Sequence, residues 1–230
     1  MKTLNDIALE KNYITDKMHT NHNYFYFIYE NVFSKIRDTT KLVCEIGTMP
    51  TAGATLACNS QRIWRDYFHN AEILALDINL NWGGEDTDME RITLKYFDQS
   101  DREQIKNMSN ELNNYDVILD DGSHKMFDQQ VTFANLFRSL RPGGVYVLED
   151  LHTSKEAGAP DKQHWPWGSC DPNKTKTLDM LEEFNQTGKI VSDHMTEDET
   201  QYLNENIDTI KIADTGRPYS ITSIILKKDR

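Results

Sequence analysis

Short apolar runs recur along the chain, and each stops at a glycine or an acid. They are 41–47 (KLVCEIG), 72–77 (EILALD), 92–97, 115–119 and 145–148. Runs of this length, bounded by turn residues and rich in Val, Ile and Leu, predict buried strands. Between them the apolar period lengthens. Residues 60–69 carry Ile63, Trp64, Tyr67 and Phe68, and residues 125–140 carry Phe127, Val131, Ala134 and Phe137 on one face; both predict helices, as do 101–112, 175–187 and 197–206. Residues 1–37 also predict helix, with Tyr24, Phe25, Phe27, Ile28, Val32, Phe33 and Ile36 crowded as on an amphipathic cap. Arg141-Pro142-Gly143-Gly144 predicts a turn, and the Pro- and Gly-bearing stretch 154–173 a loop. Two last strands, 209–212 and 221–226, follow each other through Gly216 and Pro218 with no helix between them, so they should pair antiparallel.

Strands alternating with helices predict an α/β fold: a mostly parallel sheet, helices on both faces and an antiparallel end. The 230 residues suit a single domain over 1–230, with 1–37 as its helical cap. Apolar residues at 38% and charged residues at 27% are ample for a packed core. A formal net charge of −12 argues against a nucleic-acid partner, which would favour a basic face. Cys44, Cys58 and Cys170 form no CxxC pair and read as neither a disulfide framework nor a zinc site. The N-terminal MKTLNDIALEKNY carries charges where a signal peptide needs an apolar centre, and no window reaches the roughly 18–20 apolar residues of a membrane span. The expectation is a soluble, cytoplasmic protein without a membrane partner; a homo-oligomer is left open.

In parallel α/β sheets ligands bind beyond the carboxyl ends of the strands. Glu45-Ile46-Gly47, Asp77, Asp98, Asp120-Asp121 and Glu149-Asp150 all fall at predicted carboxyl ends, which marks one functional edge. The first strand-end, CEIGTMPTAGATL, lacks the G-x-G-x-x-G that seats a pyrophosphate. Glu45 ahead of Gly47 would oppose a phosphate but suits a cationic ligand, although a plain strand-to-loop turn explains both residues equally well. Asp77 suits a ribose diol, with an ordinary turn Asp as the bland alternative. Ser100 and Glu103 read as a capping box, leaving Asp98 and Gln99 free for an adenine edge. Together these features favour S-adenosylmethionine (SAM), an adenosine with a sulfonium and no phosphate, over a dinucleotide.

The stretches TDKMHTNHNYFYFIYE, LVCEIG, IWRDYFHNAEILALDI, FDQSD, YDVILDDGSH and LRPGGVYVLEDLHTS resemble the metal-dependent sugar O-methyltransferases of the macrocin and mycinamicin type. The resemblance runs through most of 7–154, and its specific part is the DDGSH block followed by EDLHTS. It implies the seven-stranded class I methyltransferase sheet. It also implies transfer of a methyl group from SAM to a sugar hydroxyl, for instance of a deoxysugar such as rhamnose in a glycan or glycosylated natural product. It implies Asp121, Glu149 and Asp150 as ligands of Mg²⁺ or another hard divalent cation and His124 as general base beside Asp121; the strand-end reading places Glu45, Gly47, Asp77, Asp98, Gln99 and Asp120 on the cofactor side. Strand alternation turns Asp120 towards the cofactor when Asp121 faces the metal. The same alternation lets Glu149 and Asp150 share one ion only if the strand bends there, and Gly122 offers the freedom to turn His124 back over the site.

The N-terminal block, Thr15-Asp16-Lys17 and His22, is expected to close over SAM, although a helix start explains Thr15 and Asp16 as well. His152, Thr153 and Ser154 are expected near the metal's waters or the acceptor, or simply in a capped loop. Residues 154–173, with Trp165 and Trp167, are expected to form the substrate loop; here KEAGAPDKQHWPWGSCD departs from the family, as does the Gly47 to Gly53 spacing. Two alternatives stand beside sugar methylation. One is the same machinery acting on a catechol-like phenol. The other is a catalytically silent SAM-fold partner or scaffold.

Overall fold

The computed structural model describes residues 1–48, 58–80, 89–156 and 173–230. Its centre is a seven-stranded sheet made of β1 (Leu42–Ile46), β2 (Glu72–Asp77), β3 (Ile92–Tyr96), β4 (Tyr115–Asp120), β5 (Leu140–Leu148), β6 (Ile207–Asp214) and β7 (Ile221–Lys227). The strand order is β3-β2-β1-β4-β5-β7-β6. The first five run parallel, while β7 pairs antiparallel with both β5 and β6. This is the expected architecture, and it makes β4 and β5 neighbours, with Asp120 level with Leu148.

The period-two pattern of the strands sorts side chains into two cores. Cys44, Ile46, Ile118, Tyr146 and Leu148 face one side, packed by α4 (Arg102–Glu111), α5 (Met126–Leu136), α7 (Thr177–Thr187) and α8 (Glu197–Asn206). Val43, Val117, Leu119 and Val147 face the other, covered by α1 (Leu4–Lys11), α3 (Asn59–Tyr67) and the aromatic segment around residues 24–33. Helices on both faces leave β1, β4 and the later half of β5 buried twice over, which is why their sequences are largely apolar runs, whereas the edge strand β3 is mostly exposed.

The sequence departs from the fold at four points. The predicted helix over 1–37 breaks after Lys11, because Asn12 takes a left-handed conformation (φ 55°) that ends α1. The chain then makes a run of turns, resumes as a π-helical stretch (Phe25–Tyr29) and continues into α2 (Glu30–Phe33). Tyr24, Phe25, Ile28, Tyr29 and Phe33 are buried, but Phe27 is not. The cap docks through aromatic edges: Phe25 and Phe33 meet Trp64 with ring centroids 5.4 and 5.8 Å apart, both T-shaped. The Arg141–Gly144 turn is instead part of β5, which begins at Leu140 and carries a register irregularity against β4. The cap of α4 is Asp101 rather than Ser100, its carboxylate accepting from the backbone N–H of Glu103 and Gln104. Finally, residues 154–156 of the expected loop belong to a short helix, α6 (His152–Glu156); the rest of that stretch up to residue 172, with Trp165, Trp167 and Cys170, lies outside the described residues, as does Gly53.

Among the described residues Cys44 and Cys58 are free thiols, and no helix is long and apolar enough to cross a membrane.

The amino ends of β1, β4 and β5 are tied by one buried carboxylate. Asp116 accepts from the backbone N–H of Lys41 (2.7 Å) and Leu42 (3.0 Å) and from Arg141 Nε (2.5 Å). Asp116→Ala strands these donors and should lower the unfolding free energy by about 2–4 kcal/mol, read from urea denaturation. The site lies at the opposite ends of these strands, so cofactor affinity of the folded fraction should not change.

Candidate functional site

The carboxyl ends of β1, β2, β4 and β5 and the loop after β3 surround a cavity of about 540 Å³, roofed on one side by residues from the turn segment between α1 and the π-helix. Gly47, Asp77, Asp98 and Gln99 line one part of the wall, and Lys17, His22, Asp121, His124 and Asp150 another.

On the first part, Gly47 has φ 99° and packs so closely on the backbone of Asp121 that a Cβ would overlap its carbonyl. Only glycine fits both demands. Asp77 organises the loop beside it. Its Oδ2 accepts from Thr48 N (2.7 Å) and Thr48 Oγ1 (3.0 Å), and its Oδ1 from Asn79 N (2.8 Å). Asp98 Oδ1 accepts from the N–H and hydroxyl of Ser100. Gln99 is not free as expected. Its Nε2 donates to Asp120 Oδ1 (2.8 Å), and its Oε1 accepts from Ser123 N (2.8 Å).

Asp120 does not face the cavity. It is buried behind the wall, where it accepts from Gln99 and, at 3.4 Å, from the Tyr146 hydroxyl. Burial pushes its carboxyl up to about 7, against the pull of the Gln99 amide. Glu45 is likewise fully buried, on the opposite face of the sheet. Its Oε2 accepts from Gln61 Nε2 (2.6 Å) and Trp64 Nε1 (2.7 Å), so this oxygen is taken up by α3.

The second part of the wall is ionic. The final rung between β4 and β5 runs from Glu149 N to Asp120 O (3.0 Å). The next residue, Asp150, has φ 54°. This left-handed step is the bend that alternation demands, and it sends the Asp150 carboxylate towards His124. His124 makes its own left-handed turn (φ 58°), so Gly122 is not the hinge. Gly122 is needed for space instead, because a Cβ there would overlap Gln99 Oε1. His124 Nε2 sits 3.1 Å from Asp121 Oδ1, and Nδ1 sits 3.5 Å from Asp150 Oδ2. Burial opposes the charge on the imidazole, but Asp150 and Asp121 outweigh it and push its pKa up to about 9. Without another cation, His124 is therefore an imidazolium at neutral pH.

Asp121 belongs to two overlapping groups. One joins it to His124 and Asp150, the other to Glu45 and Glu149, with ligand atoms within 4.8 Å of one another in each. Glu149 and Asp150 do not fall in one group. Glu149 Oε1 accepts from Tyr29 OH (2.7 Å), and Asp150 Oδ1 from Tyr24 OH (3.3 Å), so the aromatic cap buttresses both acids. Glu45 Oε1 and Glu149 Oε2 are buried without a hydrogen-bond donor. Burial raises the Glu149 carboxyl well above its ordinary value even though Lys17 opposes the shift. An oxygen-rich set with spare buried lone pairs fits a hard divalent cation.

Lys17, expected from the sequence only as part of a block closing over SAM, is the centre of the second group. Its ammonium bonds Asp121 Oδ2 and lies 3.2 Å from Glu149 Oε2, 3.5 Å from Glu45 Oε1 and 3.6 Å from Asp16 Oδ1. The TDK of the N-terminal block was the available signal. His22 and His152 stand 3.8 and 3.9 Å from Asp150 Oδ1, and the hydroxyl of Thr153 donates to the carbonyl of Asp150 (3.0 Å).

No protein-family model matches the chain. Among characterised proteins it is 32% identical over 169 residues to demethylmacrocin O-methyltransferase of Streptomyces fradiae, covering 73% of this chain and 40% of that enzyme. It is 31% identical over 168 residues to mycinamicin VI 2''-O-methyltransferase of Micromonospora griseorubida, covering 72% of this chain and 39% of that enzyme. Among solved structures, the mycinamicin-pathway methyltransferase MycE, in complex with Mg and SAH, superposes on 99% of this chain and 55% of its own with a TM-score of 0.71 at 25% identity. The chain belongs to the macrocin- and mycinamicin-type methyltransferase family. It spans about 40% of the length of the curated relatives it matches. Its sheet is that of the class I methyltransferases.

Mg²⁺ at millimolar concentration should raise the melting temperature above that in EDTA, because a ligand that binds only the folded state stabilises it. Asp121→Asn should remove the gain, since Asp121 is common to both groups. A variant still stabilised by Mg²⁺ as strongly as the wild type would place the ion elsewhere.

Proposed function

We propose that this chain is a SAM-dependent O-methyltransferase that uses a hard divalent cation and methylates a sugar hydroxyl. The observation that carries it is the meeting of the β4 and β5 ends. Asp121, His124 and Asp150 converge on one part of a cavity whose other wall presents Asp77 and Asp98. The names of the relatives, all of them O-methyltransferases and several acting on glycosylated compounds, point the same way.

Asp77, on the cavity wall at the end of β2, serves the ribose hydroxyls. Gln99 and Asp120 act one layer back: their mutual hydrogen bond fixes the loop that carries Ser123 and His124. Glu45 holds Gln61 and Trp64 in α3, and through Gln61 the carbonyl of Gly47 (2.9 Å), so it shapes the first loop rather than touching the cofactor. Asp121 and Asp150, with Glu149 adjoining, would hold the cation. When bound, it supplies a Lewis acid that lowers the pKa of the acceptor hydroxyl. His124 takes the hydroxyl proton on a ring nitrogen from its neutral form, the oxygen attacks the methyl carbon in line, and the sulfur leaves as a neutral thioether. His124 is poorly suited to this while Asp121 and Asp150 hold it as an imidazolium, so unshared carboxylate charge works against turnover.

The acceptor is proposed to be a sugar or glycoside, for instance a deoxysugar such as rhamnose. A catechol-like phenol would offer the same pair of adjacent oxygens, and side-by-side assay of both acceptor classes separates them. A scaffold protein would turn over neither.

His124→Ala should cut turnover by about 100-fold or more while SAM affinity, measured by calorimetry, stays that of the wild type. Near-normal turnover would remove His124 as the base. Excess EDTA should abolish methyl transfer and added Mg²⁺ should restore it; full activity in the chelator would refute the cation.

A further inference from the structure

Methyl transfer as proposed gives Lys17 no task, yet its ammonium is held out of water. Lysine is almost never fully buried unless paired, and this side chain is 2% exposed. An ammonium taken out of water is tolerated only where opposite charges replace its hydration. Here Glu45 on β1, Asp121 just after β4 and Glu149 just after β5 supply that replacement, with Asp16 beside it. This is an ion held by oxygens from three strand ends. Two of those residues, Asp121 and Glu149, are proposed ligands of the divalent cation.

The ammonium is delivered by a fixed segment. Lys17 O accepts from Phe25 N (3.1 Å), and Asp16 O accepts from His22 N (2.8 Å). Ile14 O accepts from Asn59 Nδ2 (2.9 Å). Phe25 is itself locked against Trp64. The aromatic cap that buttresses the acids through Tyr24 and Tyr29 therefore also sets the position of the cation facing them.

We propose that Lys17 is a positioning residue whose ammonium is the built-in counter-ion of the site: it holds Asp121 and Glu149 convergent when no divalent cation is bound, and competes with that cation for them. The identity of the competing ion rests on the function proposed above; the counter-ion role rests on the geometry alone. Removing the ammonium leaves the carboxyls of Glu45, Asp121 and Glu149 within 4.8 Å of one another without the cation that stands among them. Such a site gains more from a divalent cation than the wild-type site does.

The test compares the wild-type chain, Lys17→Met and Lys17→Arg. Mn²⁺ binding is followed by the paramagnetic resonance of the free ion, and melting is recorded in EDTA and in Mn²⁺. Lys17→Met should melt below wild type in EDTA, recover more in Mn²⁺ than wild type gains, and bind Mn²⁺ about tenfold more tightly or better. Lys17→Arg, which keeps the charge, should bind Mn²⁺ as the wild type does. A lysine needed only for packing would lower melting equally with and without Mn²⁺ and leave Mn²⁺ affinity unchanged, and that result overturns the proposal. If Lys17→Met cannot be prepared without metal, unfolding on chelation of the Mn²⁺-loaded variant supports the proposal, and failure to fold even in Mn²⁺ overturns it. A wild-type chain that methylates fully in EDTA sinks the functional proposal, while the Mn²⁺ rescue of Lys17→Met still decides the role of Lys17. A metal-dependent wild type with unchanged Mn²⁺ affinity in Lys17→Met sinks only the latter.

Discussion

The structure depends on how five carboxylates, two of them fully buried, are kept together. Asp16, Glu45, Asp121, Glu149 and Asp150 meet at one edge of the sheet, and Glu45 and Glu149 are fully buried. Like charges this close are mutually destabilising unless cations stand among them. Lys17 and His124 are the cations that do so, one on each side of Asp121. That arrangement holds Asp121 well below the usual carboxylate range, burial being outweighed by Lys17 and His124, while burial leaves Glu149 raised. The site is therefore divided between an acid that is always charged and acids whose charge depends on what faces them.

The fold makes this division by simple means. Parallel pairing of β4 with β5 brings their ends to within a strand spacing of about 4.8 Å. A strand alone would then point Glu149 and Asp150 to opposite faces. The left-handed step at Asp150 breaks the alternation after the last rung, so Glu149 stays on the Lys17 side and Asp150 turns to His124. A non-glycine residue with positive φ is strained. Here Asp150 is held in place by tertiary contacts: Leu151 N bonds Ile221 O on β7, and Tyr24 reaches its carboxylate.

The sheet was legible in sequence because doubly buried strands write themselves as apolar runs, and the strand-end acids were legible because each broke such a run. DDGSH and the Glu149-Asp150 pair were legible together for the same reason. What sequence did not show was direction. Glu45 and Asp120 sit at strand ends like Asp77, but each turns into a core, where Trp64 in one case and Gln99 in the other meets it. The face a terminal residue adopts is set by register and by neighbours far along the chain. For Lys17 the N-terminal block indicated a place over the site but not its partners: the break at Asn12 folds it inward, onto acids from three strand ends. The same limit explains Ser100: two adjacent residues could cap α4, and only backbone geometry gives Asp101 the role.

The cap is thus part of the site's electrostatics as well as its cover. Tyr24 and Tyr29 donate to the acids of β5, and Lys17 neutralises those of β1 and β4. All three come from one segment anchored on Trp64, whose indole N–H in turn satisfies Glu45. Loosening that anchor would free a buried carboxylate, shift the ammonium and strip two hydroxyl donors from the acids at once. Coupling of this kind explains why a run of aromatic residues precedes a sheet that is already complete without it. The apolar contacts of the cap are the means by which an acidic chain with net charge −12 keeps its most crowded charges in one geometry.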